Sequence, residues 1–142
     1  MGGGPLPAVA VRLAGPRDPY RASAAADLGR RGEEAAERLL LSLGFRILER
    51  RYRLRGGEVD LIAREGETVV FVEVKSRSSL DCGRPSETVG AGQRRRILKA
   101  AAFYLAGAGG PERSCRFDVV EVLQGTGGRL RVSLIRDAFQ AT

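Results

Sequence analysis

The chain has 142 residues, with 24 lysines and arginines against 17 aspartates and glutamates, a net charge of +7 and a pI of about 10.4. That length suits one domain with a real core, and the absence of histidine excludes a Ser/His/Asp triad, a histidine general acid and any His-containing zinc site. Cys82 and Cys115 form no CxxC pair and no apolar run approaches the ~20 residues of a membrane span, which excludes a disulfide framework and points to a soluble, cytoplasmic protein without a membrane partner.

Residues 1–27 are largely Gly, Pro, Ala and Arg and carry too little apolar surface to offset the entropy of ordering. They are expected to form a flexible basic arm ahead of a domain over 28–142. From Gly29 to Leu43, Ala36, Leu39, Leu40 and Leu43 recur at helical spacing, with Glu33, Glu34 and Glu37 early and Gly44 as a stop. Phe45 to Tyr52 reads as a strand with Phe45 and Ile47 on one face, and Arg55-Gly56-Gly57 as a turn. Glu58 to Arg64 and Thr68 to Lys75 form an antiparallel hairpin, the second strand being β-branched or aromatic through Val69, Val70, Phe71, Val72 and Val74 and therefore central and buried on both faces. A polar loop from Ser76 to Glu87 precedes a helix over Gly92–Leu105 with Ile97, Ala101, Tyr104 and Leu105 inward. Strands Phe117–Leu123 and Leu130–Ile135 close the chain around the turn Gly125–Gly128, giving the order α-β-β-β-α-β-β.

The charges are grouped. Glu58, Asp60, Glu65, Glu67 and Glu73 form an acidic island between basic stretches containing Arg46, Arg50, Arg51, Arg53 and Arg55 on one side and Arg94, Arg95, Arg96 and Lys99 on the other. A phosphate-binding surface around a metal centre has this pattern, as does an alternation of solvated charges. On the strand Val69–Lys75 the period of two puts Phe71, Glu73 and Lys75 on one face and Val70, Val72 and Val74 on the other. A four-residue loop Glu65–Thr68 would set Asp60 directly across from Glu73, with Cβ atoms ~5 Å apart, whereas an odd-length loop would turn it to the wrong face. Facing carboxylates destabilise a sheet, so a cation is expected there: Lys75, a metal, or both. Mg²⁺ suits two carboxylates plus water and phosphate oxygen. A lysine beside it would orient or deprotonate the water that attacks phosphorus. The plainer reading is a buried Glu73–Lys75 or Asp60–Lys75 ion pair without chemistry.

Gly32-Glu33 with Ala36, Gly57-Glu58-Val59-Asp60-Leu61-Ile62-Ala63, Val70-Phe71-Val72-Glu73-Val74-Lys75 with Arg77, Arg116-Phe117-Asp118-Val119-Val120 and the closing Ala138-Phe139 resemble, in order and spacing, the bacterial YraN-like family of predicted endonucleases. The resemblance covers about residues 28–139. It implies membership of the PD-(D/E)xK, restriction-endonuclease-like superfamily, similar to archaeal Holliday-junction resolvases, and an α/β fold with a mixed β-sheet flanked by helices. It also implies Asp60, Glu73 and Lys75 as the catalytic aspartate, acid and lysine, and Mg²⁺ or Mn²⁺ as cofactor. Glu33 would add a catalytic, metal-binding carboxylate beside Asp60 and Glu73, or is simply a helix-dipole acid. Glu58, on the same face as Asp60, reads as an outer ligand or a solvated strand-end acid. Two positions depart from the family pattern: Arg51 where relatives usually carry Asn, and Gln93 where they often carry Lys.

The function expected is a metal-dependent DNA endonuclease, structure-selective in the manner of a resolvase and, by analogy, a homodimer. Arg51, Arg53, Arg55, Arg77, Gln93, Arg94, Arg95 and Arg96 would contact the nucleic acid, giving salt-sensitive binding with little base readout. The rival readings are a non-catalytic nucleic-acid-binding module of the same fold and a protein whose basic surface meets an acidic protein. Tyr52 and Tyr104 are the aromatics available for stacking, with Tyr104 better placed for the core. Cys82 lacks a histidine to activate it and reads as incidental.

Overall fold

The computed structural model describes residues 19–78, 89–110 and 112–141. Most of the expected loop after Ser76, including Cys82, lies outside the described residues, as do residues 1–18 of the expected arm. The elements in chain order are α1 (Pro19–Ser42), β1 (Arg46–Leu54), β2 (Gly57–Glu65), β3 (Thr68–Ser78), α2 (Ala91–Gly107), β4 (Cys115–Gln124) and β5 (Leu130–Ile135), with one 3-10 turn at Thr126–Gly128. This is the order α-β-β-β-α-β-β read from the residues and the mixed sheet that the family resemblance implies. The five strands lie in the order β1-β2-β3-β4-β5. Pairing is antiparallel except for β3 with β4, which run parallel with α2 between them.

The first helix begins earlier than expected, at Pro19 rather than Gly29. Burial explains only its C-terminal half. The alanine-rich N-terminal half adds turns to a helix already nucleated, at little cost per residue. Ion pairs from Asp27 to Arg30 and, at 3.9 Å, to Arg31 support those turns. Arg31 also donates to the Gly128 carbonyl at 3.0 Å, fastening α1 to the β4–β5 turn.

The helices cover opposite faces of the sheet, so β3 is buried on both. Ala36 and Leu40 of α1 pack with Phe45, Leu61, Ala63, Val70, Val72, Val120 and Val122. Ile97, Ala100, Ala101 and Leu105 of α2 pack with Val59, Ile62, Val69, Phe71, Phe117 and Val119 on the other side, where Phe139 completes the cluster. Burying a Val, Ile, Leu or Phe contributes ~1.5–3 kcal/mol each, so these two layers dominate the stability.

At one position the close approach depends on glycine. A Cβ at Gly32 of α1 would lie 2.0 Å from the Ser76 Oγ and 3.2 Å from the Ser76 Cβ. The missing side chain lets α1 sit down on the C-terminal part of β3, next to the charged residues of that strand.

Opposite the residues of the site lies a separate charged cluster. Asp118 is fully buried and accepts from the Arg116 Nε and Nη2, both at 2.9 Å, and from the Asp137 backbone N–H at 2.9 Å. Glu65 accepts from Arg116 and Arg136, each at 2.7 Å, and both guanidinium groups lie over the Phe45 ring. These arginines hold the Glu65 carboxyl below its ordinary pKa. Glu65 therefore belongs to a structural network and not to the acidic centre that its place in the island suggested.

Candidate active site

The site is built where β2 and β3 part. Their pairing begins at Glu65↔Thr68 around the two-residue loop Gly66-Glu67, with Gly66 at φ 60°, as primed hairpin turns require. It ends at Leu61↔Val72. One step further the same register brings Asp60 opposite Glu73, as the even-length loop requires. There the ladder gives way to side chains: the Asp60 carboxylate accepts the Val74 backbone N–H at 2.8 Å, the donor that a continuing β2 would have taken.

Two backbone irregularities aim Asp60 at this fork. Val59 packs on the α2 side and Leu61 on the α1 side, so the alternation of β2 switches at Asp60. The β1 register, Arg50↔Leu61 and Tyr52↔Val59, sets Arg51 opposite that switch, and Arg51 has φ 50°. A left-handed conformation is costly for arginine and easier for asparagine. Nearby, β1 carries a bulge between Ile47 and Glu49.

Phe71, Glu73 and Lys75 face α2, as the strand period predicts. Glu73 is 7 % exposed and lies one register step beyond the last ladder pair, so its carboxyl faces that of Asp60. Burial, then the charge of Asp60, against the opposing pull of Lys75, pushes the Glu73 pKa up to about 8. Burial also raises Asp60, with the Val74 N–H opposing and the Glu33 charge adding.

Gln93, in the first turn of α2, ties the acid to the lysine. Its Nε2 donates to the Glu73 Oε2, and its Oε1 accepts from the Lys75 Nζ at 2.8 Å. The sequence expectation made Gln93 a nucleic-acid contact, whereas its side chain lies inside the centre. The signal was present: Gln93 stands four residues before the inward-facing Ile97.

The other expected site residues are spread around this core. Glu33 of α1 and Asp60 line the same cleft with Arg30, Glu34, Glu37, Arg50, Arg51 and Leu61. Glu33 is ion-paired with Arg51 at 2.9 Å, and Arg50 donates to Glu37 at 2.8 Å, so two arginines of β1 clamp α1. Arg77 is paired with Glu121 at 3.3 Å. Arg53 and Arg96 approach Glu58 at 3.6 and 3.8 Å, and Arg94 lies over the Phe139 ring. Arg55 and Arg95 are exposed.

Among the described residues no group of three or more His, Cys, Asp or Glu side chains comes together as a metal cage. The donor set at the fork is therefore two carboxylates, with Glu33 engaged by Arg51. Two hard oxygen donors that repel one another fit Mg²⁺ or Mn²⁺, which keep several waters, better than an ion that needs an all-protein shell. Among the described residues no helix is long and apolar enough to cross a membrane.

Comparison with known proteins places the chain. It is 49 % identical to the UPF0102 protein of Symbiobacterium thermophilum over 114 residues, covering 80 % of this chain and 97 % of that relative. It is 53 % identical to a UPF0102 protein of Anaeromyxobacter dehalogenans over 100 residues, covering 70 % and 75 %. A UPF0102 protein of Moorella thermoacetica is 47 % identical over 112 residues, covering 78 % and 93 %. The model of "Uncharacterised protein family UPF0102" matches residues 32–122, a span that includes Glu33, Asp60, Glu73, Lys75 and Gln93, and the chain belongs to that family.

Proposed function

We propose that this chain is a divalent-metal-dependent endonuclease that hydrolyses phosphodiester bonds of DNA in the cytoplasm, with a restriction-endonuclease-like catalytic centre. The observation that carries this reading is the pair of facing carboxylates, half-buried Asp60 and buried Glu73, at the open end of the β2–β3 ladder, with Lys75 tied beside them by Gln93. Asp60 and Glu73 would hold Mg²⁺ or Mn²⁺. Such an ion, when bound, neutralises charge on the scissile phosphate and favours ionisation of the attacking water. Lys75 has three N–H donors, and Gln93 takes one. The remaining two are available to the attacking water or to a phosphate oxygen. Gln93 fixes the separation of Lys75 from Glu73, so the lysine is positioned before substrate arrives. Exposed Arg55 and Arg95, with Arg53, Arg94 and Arg96, would contact phosphates, giving binding that weakens steeply with salt. A branched substrate that needs two symmetric cuts would call for two copies of the chain.

A second reading, a nucleic-acid-binding module without turnover, is favoured by the closure of the network: Gln93 bridges Glu73 and Lys75, the Val74 N–H binds Asp60, and Arg51 engages Glu33. Cleavage of labelled branched, nicked, flapped, duplex and single-stranded DNA with Mg²⁺ or Mn²⁺ separates the two. Cutting by the parent that is abolished by EDTA and in folded Asp60→Ala and Lys75→Ala proteins is the expected result. Binding without cutting on every substrate would leave the module.

A further inference from the structure

α2 carries four cations and no acid over its 17 residues, AGQRRRILKAAAFYLAG. Ile97, Ala100, Ala101 and Leu105 face the sheet, which leaves Arg96, Lys99 and Phe103, spaced i, i+3 and i+7, as one stripe along the flank of the helix. Phe103 is 61 % exposed, the highest among the exposed large hydrophobic residues that the structure describes. The neighbouring aromatics are committed to packing. Tyr104, expected in the core, sits edge-on to Tyr52 at 5.5 Å and to Phe71 at 6.1 Å.

The β1–β2 hairpin closes against the same flank. A Cβ at Gly57 would meet the Ala100 backbone nitrogen at 3.0 Å and the Arg96 carbonyl at 3.2 Å, and one at Gly56 would meet the Lys99 Nζ at 2.9 Å. This contact sets the turn that follows exposed Arg55 against Lys99, and Glu58 draws Arg53 and Arg96 together. Among the described residues Glu58 is ion-paired on this flank, divided between Arg53 at 3.6 Å and Arg96 at 3.8 Å, and Glu49 lies near Tyr52. Among the described residues Arg55 and Lys99 have no carboxylate partner. The stripe is continuous with the candidate centre, since Gln93 at the start of α2 touches Glu73 and Lys75, and the helix rises about 15 Å from Gln93 to Phe103.

We propose that this flank carries a single-stranded segment of the nucleic acid, with Arg53, Arg55, Arg96 and Lys99 on its phosphates and Phe103 stacked on an unpaired base. The proposal rests on the reading that this surface meets nucleic acid. Cations alone would serve a duplex equally well, but a duplex keeps its base faces stacked inside, and an exposed ring at the end of a cationic stripe matches a strand whose bases are free. The substrate class is then one with an unpaired arm next to the scissile bond.

The test is binding, measured in EDTA with the full chain so that it does not depend on cutting. Fluorescence anisotropy with labelled oligothymidine and with a duplex of equal length compares the parent, Phe103→Ala, Phe103→Trp and Lys99→Ala. Phe103→Ala weakens oligothymidine binding about 5- to 100-fold and duplex binding less than about twofold, and Phe103→Trp restores it. Lys99→Ala weakens both. Oligothymidine binding unchanged in Phe103→Ala, an equal loss on single strand and duplex, or Phe103-dependent displacement of the oligonucleotide by polyglutamate would each overturn the proposal, the last by identifying an acidic protein surface as the partner. A chain that shows the Phe103-dependent preference but cuts no substrate keeps this inference and loses the nuclease reading. The converse result does the reverse.

Discussion

Replacing Glu73 by glutamine is expected to stabilise the metal-free protein, by an amount that grows with pH. Glu73 is buried against Asp60, and its pKa stands at about 8 in the folded chain against 4.5 for a free glutamate. A raised folded-state pKa contributes stability that is full below 4.5 and is lost as pH rises through 8. Each unit of difference corresponds to ~1.4 kcal/mol, so the loss across that window is on the order of 3–5 kcal/mol. Glutamine cannot ionise, and it suits the same place: its amide N–H₂ can donate toward the Asp60 carboxylate, and its Oε1 accepts from the Gln93 Nε2. Glu73→Gln and the parent should therefore have similar stability at pH 5 and diverge steadily to pH 8.5. Urea denaturation in EDTA at a series of pH values reads this directly, and with a slope of ~2 kcal/mol/M the midpoints should separate by about 1.5–2.5 M at the alkaline end. Midpoints that stay parallel from pH 5 to 8.5 would refute the claim that Glu73 is buried, protonated and opposed by Asp60.

The same proton gives a signature in metal binding. Occupation by Mn²⁺ should release close to one proton per chain at pH 7, with affinity rising up to about pH 8 and levelling above it, as calorimetry in buffers of different ionisation enthalpy will show. Gly32→Ala should cost ~1–3 kcal/mol and displace α1 from β3, and Ser76→Gly in the same chain should recover most of that loss in thermal melts, because Ser76 supplies both contacts closer than 3.4 Å. Asp118→Ala should destabilise by ~3–5 kcal/mol in chemical denaturation, since it removes the acceptor of the Arg116 Nε and of the Asp137 N–H and leaves Arg116 only its bond to Glu65.

The central hairpin could be read from residue types. The β-branched run of β3 and an even-length turn at Gly66 suffice to place Asp60 against Glu73, because a strand has a period of two and a hairpin has one register for each loop length. The features that escaped depend on pairings between distant parts of the chain. Glu65 meets Arg116 and Arg136 across 51 and 71 positions, so nothing local separates it from the acids of the site. Gln93 enters the centre because α2 crosses the sheet with its first turn over Lys75, a docking set by packing around Ile97 and Ala101 and not by the residues near Gln93. The early start of α1 escaped because apolar periodicity marks the buried half of a helix and is silent on turns held by alanine and local ion pairs. Phe103 was passed over for Tyr52 and Tyr104, which the fold turns toward its aromatic cluster while leaving their neighbour in solvent.

Whether Asp60 and Glu73 together bind a divalent cation can be decided without knowing the substrate. Calorimetric titration of the full chain with Mn²⁺ at pH 8 should show binding that disappears in a folded Asp60→Ala protein and is strongly weakened in Glu73→Gln. A parent that binds no Mn²⁺, or variants that bind it as the parent does, would contradict the assignment and return the fork to a buried, structural hydrogen-bond network.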